Sequence, residues 1–506
     1  MKFKRVMIAA PKSGSGKTTI TCALLQTLKN RGQQVVSYKC GPDYIDPMFH
    51  KQVIGIPSKN LDTFFTGEEK TRELFLKNRT EEDFAVLEGV MGLFDGLGGI
   101  REEGSSYHLA KVTKTPIVLV VDAKGMGRSV AALIAGFLAY DKEQLIKGVI
   151  LNRMSKGYYE IVKPLIEEEL KISVLGYFPE CKEMHIESRH LGLVMPEELT
   201  DIKEHLRNTA EEFVKTVSVD GIMQIVENAE EITFKNRVAD NQRPGNWATA
   251  CYSEENCSMV DSDRESSAIE RNVAERSATE DAIAGYETEE QKKKNPPVIA
   301  VARDEAFCFY YEDNSLLLQE KGAKITYFSP LHDRALPEDC NALLLGGGYP
   351  ELYAEQLSAN KSMLSSVKQA FDNGMPIVAE CGGFMYLHSE MEDKEGTSYS
   401  MAGVVPGTCS YKGKLVRFGY IEVQEKQSRF LPEGQRIRAH EFHYFDSTDN
   451  GNNCLAIKPV TGREYPCIIE GENYWLGFPH LYYPSNPAFA EKFVEKAGSY
   501  RERVKV

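Results

Sequence analysis

The chain has 506 residues, 42% of them apolar, and a formal net charge of −14. That length suits two to four globular domains with real cores, and the acidic balance argues against broad nucleic-acid binding. No run approaches the roughly 20 apolar residues of a membrane span, the first apolar run is shorter than a signal-peptide core, and the eleven cysteines show neither disulfide-framework nor metal-knuckle spacing, so a cytoplasmic protein with reduced thiols is expected.

Residues 5–10, 35–39, 84–88, 116–122 and 148–152 read as buried strands, and 18–30 and 129–140 carry helical spacing between them. Such alternation predicts a parallel sheet wrapped by helices. Periodicity then fails from 232 to 296. Within that tract, 251–290 holds twelve acidic residues against three arginines, a composition too polar to bury a core, and it reads as a linker or insertion. Strands at 298–303, 324–328, 342–345 and 376–379 open a second α/β domain, and 400–480, with its glycine-rich turns, reads as antiparallel. The expected domains are 1–231, 232–296 and 297–506.

The first strand runs into Ser13-Gly14-Ser15-Gly16-Lys17-Thr18-Thr19 and a helical pattern, the strand–loop–helix setting of a P-loop. Its N–H groups and helix N-terminus would hold phosphate oxygens, Lys17 would reach the terminal phosphates and the Thr18 hydroxyl would ligate Mg2+. Pro11 replaces the usual first glycine, so the loop is a variant, and Lys12 stands where one P-loop class has a second lysine. The strand at 84–88 ends on Glu88, placed to hold or orient magnesium as a Walker B acid does, or else to cap the next turn. Asp95 follows in Gly92-Leu93-Phe94-Asp95-Gly96 as a further candidate. The second strand delivers Lys39-Cys40-Gly41-Pro42-Asp43-Tyr44-Ile45-Asp46-Pro47 to the end that faces the nucleotide crevice of such folds. Arg189 and His190 offer an anion clamp, with solvated charge as the competing reading.

A strand also delivers Cys381 to the Gly382-Gly383 turn before a helix-like stretch at 384–387. Such an elbow exposes the thiol, and a helix N-terminus lowers its pKa. A thiolate suits attack on a carboxamide. His480, after an apolar strand, is the leading base, and His440 and His443 compete for the role. The N–H groups of Gly346-Gly347-Gly348, together with that of Gly382, could line an oxyanion hole.

Taken together, Ser13–Thr18, Lys39–Pro47, the run from Glu88 to Gly96, Arg189-His190-Leu191-Gly192-Leu193, the run from Gly346 to Glu351, Cys381-Gly382-Gly383 and His440-Glu441-Phe442-His443 resemble the cobyrinic acid a,c-diamide synthases, glutamine-dependent amidotransferases of corrinoid biosynthesis. The resemblance covers about 1–230 and 298–490. It implies an N-terminal ATP-dependent domain similar to dethiobiotin synthetase and a C-terminal class I glutaminase-like domain. Cys381 and His480 would release ammonia from glutamine, with Gly347, Gly348 and Gly382 as oxyanion donors. ATP and Mg2+, held by 13–19 with Thr18, Glu88 and Asp43 on the metal, would activate the a and c carboxylates of cobyrinate as acyl phosphates. Lys39, Asp43, Tyr44, Asp46, Asp95, Arg189 and His190 would line the substrate. Cobyrinate and glutamine are the implied partners, without nucleic acid or membrane, and a homodimer is compatible with the reading. Sirohydrochlorin or its nickel complex, or the substrate of a cobyric acid synthase, are the alternative acceptors. A partition-like switch ATPase with a degenerate glutaminase domain is the alternative from another class. The glutamate that class I triads place two positions after the histidine is here Tyr482, which leaves the partner of His480 open.

Overall fold

The computed structural model describes residues 3–77, 83–180, 198–232 and 295–504. Arg189, His190 and all but the ends of the 232–296 tract lie outside them. Among the described residues no helix is long and apolar enough to cross a membrane.

The N-terminal unit is a seven-stranded parallel sheet in the order β3-β2-β4-β1-β5-β6-β7. Its central strands, β1 (Lys4–Ala9), β4 (Phe84–Glu88), β5 (Ile117–Asp122) and β6 (Ile146–Asn152), are nearly continuous apolar runs because helices cover both faces. The outer strands are β2 (Val35–Cys40), β3 (Ser58–Leu61) and β7 (Ser173–Phe178). Helices Lys17–Asn30, Glu198–Thr216 and Val219–Glu227 pack on one face, and Ser106–Val112, Ser129–Tyr140 and Lys156–Leu170 on the other. The chain reverses its sheet direction around β1, so the carboxyl ends of β1, β4 and β2 open one crevice, as the topological switch of such sheets does.

The C-terminal unit is built on a second sheet, β10-β8-β11-β13-β23-β22. Its parallel core is β10 (Lys324–Phe328), β8 (Val298–Ala302), β11 (Ala342–Leu345), β13 (Ile377–Glu380) and β23 (Tyr474–Gly477), with β22 (Ile469–Glu470) antiparallel at one edge. A small ribbon pairs β12 (Gly347–Gly348) with β9 (Phe307–Phe309). The 400–480 region is largely antiparallel as expected. It forms a five-stranded sheet in which β17 (Arg417–Glu425) lies between β20 (Cys454–Ile457) and β18 (Arg436–His443), with β21 (Glu464–Cys467) and β24 (His480–Leu481) at the edges. A further small sheet contains β14 (His388–Glu392), β15 (Ser398–Ser400), β16 (Val405–Tyr411) and β19 (Phe445–Ser447).

Candidate functional site

Sheet register assembles the first half of the site. Ile8 of β1 pairs with Glu88 of β4, and Glu88 pairs with Lys39 of β2. The P-loop, the acid and the lysine therefore leave three adjacent strands at one level. Gly16 caps the first helix with φ 91°, and a Cβ there would stand 2.2 Å from the Asn152 side-chain nitrogen, so only glycine fits. Asn152 Nδ2 donates to the Ser15 carbonyl at 2.8 Å, and Arg153 reaches the Gly14 carbonyl at 2.6 Å and the Asp122 carboxylate at 2.9 Å. Ser15 Oγ closes the loop on the Lys12 carbonyl. Ser13 and Gly14 stay exposed at its tip, while Thr19 is half-buried on the first helical turn.

Lys17 Nζ donates to the Met91 carbonyl at 2.6 Å. Burial, with Lys39 close by, lowers its pKa to about 8. Thr18 Oγ1 donates to Glu88 Oε1 at 2.7 Å, and the same oxygen accepts from Lys39 Nζ at 2.9 Å. Lys39 also pairs with Asp46 and stands 3.9 Å from Asp43. Burial alone would push Glu88 up, but the Lys39 charge and His50 hold it well below the usual carboxylate range. Burial and the Glu88 charge push Asp46 up, while Asp46 and Glu88 together hold Lys39 firmly protonated against its burial. Asp43 Oδ1 accepts the Ile45 N–H at 2.8 Å, and exposed Asp95 accepts the Gly92 N–H at 3.0 Å, so both also shape their own turns.

The second half forms where three strands of the other sheet end. Leu345 of β11 pairs with Ala379 of β13, and Glu380 pairs with Gly477 of β23. Beyond those ends lie Gly346-Gly347-Gly348, Cys381 and His480. Cys381 has φ 49° and ψ −106°, and its N–H donates to the Gly477 carbonyl at 2.8 Å. A Cβ on Gly347 would stand 2.3 Å from His480 Cε1, so the ring lies directly on the glycine turn. A Cβ on Gly382 would come within 3.2 Å of the Gly348 nitrogen, which places the expected oxyanion donors side by side.

The thiol differs from expectation. Burial and the nearby Glu351 charge push Cys381 up to about 12, and the opposing Gly382 N–H does not offset them. The helix that follows spans only Gly382–Tyr386, and its N-terminal field is weaker than the loss of hydration. A base is therefore required. Burial, with His443 adjacent, lowers His480 to about 3, which leaves a neutral imidazole at physiological pH. The Glu380 carboxylate lies 3.9 Å from His480 Nδ1, and that nitrogen and Glu380 Oε1 are buried without hydrogen bonds. Burial raises Glu380 to about 8. His440 sits opposite His480 in the β18–β24 register, and His443 is stacked on Phe478 with Nδ1 on the Phe445 carbonyl. Neither lies on the glycine turn as His480 does.

The two halves meet through Tyr44. The resemblance sets this residue by the substrate, but its ring is buried between the domains. It stacks on Phe309 at 5.0 Å and 7°, and lies 4.6 Å from Tyr311 and 5.3 Å from the His480 ring. Tyr482, in the position of the usual triad glutamate, stacks on Phe65 and donates to Asp313. Lys59–Asp313 at 2.8 Å, Lys51–Glu312 at 3.0 Å and a Tyr420–Asp62 hydrogen bond complete this face.

The structure thus brings together 13–19, Lys39, Asp43, Asp46, Glu88 and Asp95 on one side, and Gly347, Gly348, Cys381, Gly382 and His480 on the other. Sequence reading passed over His50, Asn152, Arg153 and Glu380. The first three sit on otherwise ordinary helix or strand ends and gain meaning only from pairing. Glu380 could have been found, since an acid at the last position of an apolar strand before the cysteine is costly to bury without purpose.

Residues 6–194 match the CobQ/CobB/MinD/ParA nucleotide binding domain, and 298–474 match the CobB/CobQ-like glutamine amidotransferase domain. The chain is 36% identical over 498 residues to the cobyrinate a,c-diamide synthase of Caldanaerobacter subterraneus subsp. tengcongensis, covering 98% of each chain. It is 35% identical to that of Listeria innocua over 96% of this chain and 98% of the relative. It is 37% identical to that of Clostridium tetani over 98% of this chain and all of the relative. Kinship at this identity, running through both the nucleotide-binding and the amidotransferase halves without a break in coverage, means that the chain belongs to the cobyrinate a,c-diamide synthase family.

Proposed function

We propose that the protein amidates the a and c side-chain carboxylates of cobyrinate in cobalamin biosynthesis, using ammonia released from glutamine and activating each carboxylate with ATP as an acyl phosphate. One observation carries this reading beyond kinship. A single loop, 43–46, contacts both halves: Asp43 and Asp46 face Lys39 beside the P-loop, while Tyr44 packs on His480 beside Cys381.

In the glutaminase half, neutral His480 takes the Cys381 proton as sulfur attacks the glutamine carboxamide. The Gly347, Gly348 and Gly382 amides face the oxygen that gains charge, and Glu380, once its proton is lost above about pH 8, stabilises the imidazolium that forms. In the synthetase half, the 13–19 backbone and Lys17 hold the phosphates in line with the carboxylate. Lys39 keeps Glu88 ionised and pairs with buried Asp46. Thr18, Glu88 and Asp43 offer hard oxygen donors, a set that fits magnesium, and Glu88 Oε2 faces His50 Nε2 at 3.4 Å. Such an ion, when bound, neutralises phosphate charge. Arg189 and His190 remain candidates for the substrate carboxylates.

The domain bounds 1–231, 232–296 and 297–506 belong to the same proposal, with the acidic tract as connector. Full-length kinship with synthases sets the switch-ATPase alternative aside. The test is incubation with ATP, magnesium, glutamine and cobyrinate, sirohydrochlorin or its nickel complex, followed by product mass. Gain of two amides on cobyrinate supports the proposal. Preference for either of the other acids, or ATP turnover without amidated product, overturns it.

A further inference from the structure

Away from both sites, the five-stranded sheet sets Glu425 opposite Cys454 and Cys454 opposite Cys467, one row across β17, β20 and β21. Cross-strand partners share a face, and this face is the buried one. Glu470, on β22 of the other sheet, meets the row, and one donor atom from each of Glu425, Cys454 and Glu470 lies within 4.8 Å of the others. Glu470 is 4% exposed, and its carboxylate oxygens meet no N–H or hydroxyl donor, only the Glu425 side chain. Glu425 accepts the N–H groups of Gln427 at 3.2 Å and Leu431 at 3.4 Å. Two buried carboxylates this close cannot both stay ionised alone. Either a proton or a cation must lie between them.

We infer that Glu425, Cys454 and Glu470 bind a divalent cation of borderline softness, zinc in kind, as a clasp between the two sheets. The thiol decides between proton and cation, since a shared proton needs only the two acids whereas one sulfur and two oxygens make a zinc donor set. Zinc ligands stand about 3.5 Å apart around the ion, a spacing inside the 4.8 Å bound on this cluster. Two carboxylates and a thiolate leave one negative charge in excess around a dication. Arg429 and Lys496, whose charges act on Glu470, and Lys426, whose charge acts on Cys454, balance it. β22 leads through its hairpin into β23 and on to His480. The clasp therefore steadies the strand that delivers the base.

The test uses the full chain carrying Cys381→Ala, so that the nucleophile contributes no sulfur ligand. One equivalent of cobalt(II) should give thiolate-to-cobalt charge-transfer absorption with tetrahedral ligand-field bands. Zinc should bleach these bands and raise the thermal midpoint, and a chelator should reverse the rise. Cys454→Ser should abolish the charge-transfer band, and Glu425→Gln or Glu470→Gln should weaken binding at least about tenfold in variants whose circular dichroism is unchanged. Absence of stoichiometric cobalt absorption, or a band that survives Cys454→Ser, overturns the inference. So does a Glu470→Gln variant that binds metal as well as its parent.

Discussion

Cys381 holds a positive φ that costs a non-glycine residue about 1–3 kcal/mol, strain that keeps the sulfur off the helix and at the mouth of the strand. Cys381→Ala should abolish glutamine-dependent amidation and leave amidation with free ammonia, read as product per ATP. Cys381→Gly should lose the same activity yet unfold about 1 kcal/mol later in denaturant, because the strain is released. Above about pH 8, where the wild-type carboxyl is ionised, Glu380→Gln should lower glutamine-dependent kcat by about tenfold or more, with smaller effect on ammonia-dependent turnover. Its stability carries a pH signature. Glu380 titrates at about 8 in the fold, above its ordinary value of 4.5, so the unfolded chain loses its proton first as pH rises. Wild-type stability therefore falls between those pH values, and the variant, which does not titrate, should gain on it by up to about 1.4 kcal/mol per pH unit. Chemical denaturation at several pH values checks the sign. At this scale the sequence displayed the candidate nucleophile, the glycine turn and the candidate base that the fold brings together. It did not display the thiol's raised pKa, because burial is a property of what folds over the elbow and not of the elbow.

Elements with strong apolar runs were legible nearly to the residue. The strands expected at 84–88, 324–328 and 342–345 end where β4, β10 and β11 do. β3 escaped because Ser58-Lys59-Asn60-Leu61 is polar. Its polar groups are satisfied sideways, Ser58 Oγ on Ser37 Oγ at 3.3 Å and Asn60 Nδ2 on the Gly41 carbonyl at 2.9 Å, a pattern invisible before β2 is in place. The β2–β4 pairing likewise hid the centre of the synthetase half. Lys39, Glu88, Asp46 and His50 form one buried group in which a single lysine compensates two carboxylates. Lys39→Met should therefore destabilise the N-terminal domain by about 3–5 kcal/mol, leaving charges buried without a partner. Adding Glu88→Gln to it should recover part of that stability while amidation stays lost, since the Thr18 partner is changed as well. Thermal unfolding of the single and double variants measures both.

Across the whole molecule, the two domains are joined at a face built from aromatic rings, with Tyr44, Phe64 and Phe65 from one side against Tyr311 and Tyr482 from the other. Sequence reading found both domains but not this face, because these residues come from four separated segments, each of which alone resembles ordinary core. The placement of Tyr44 has a functional consequence. Its neighbours Asp43 and Asp46 are held by Lys39 in the carboxylate-activating half, and its ring rests on His480 in the glutamine half, so any shift of this loop would reach His480 by contact. Tyr44→Ala should leave both half-sites assembled but remove that contact. The ratio of glutamate formed to amide formed should rise severalfold over wild type, while amidation with free ammonia should change less than twofold. Tyr44→Phe keeps the ring and should restore the wild-type ratio. A wild-type ratio in Tyr44→Ala would reduce the ring to packing, and the two half-reactions would then have to be coordinated elsewhere on the shared face.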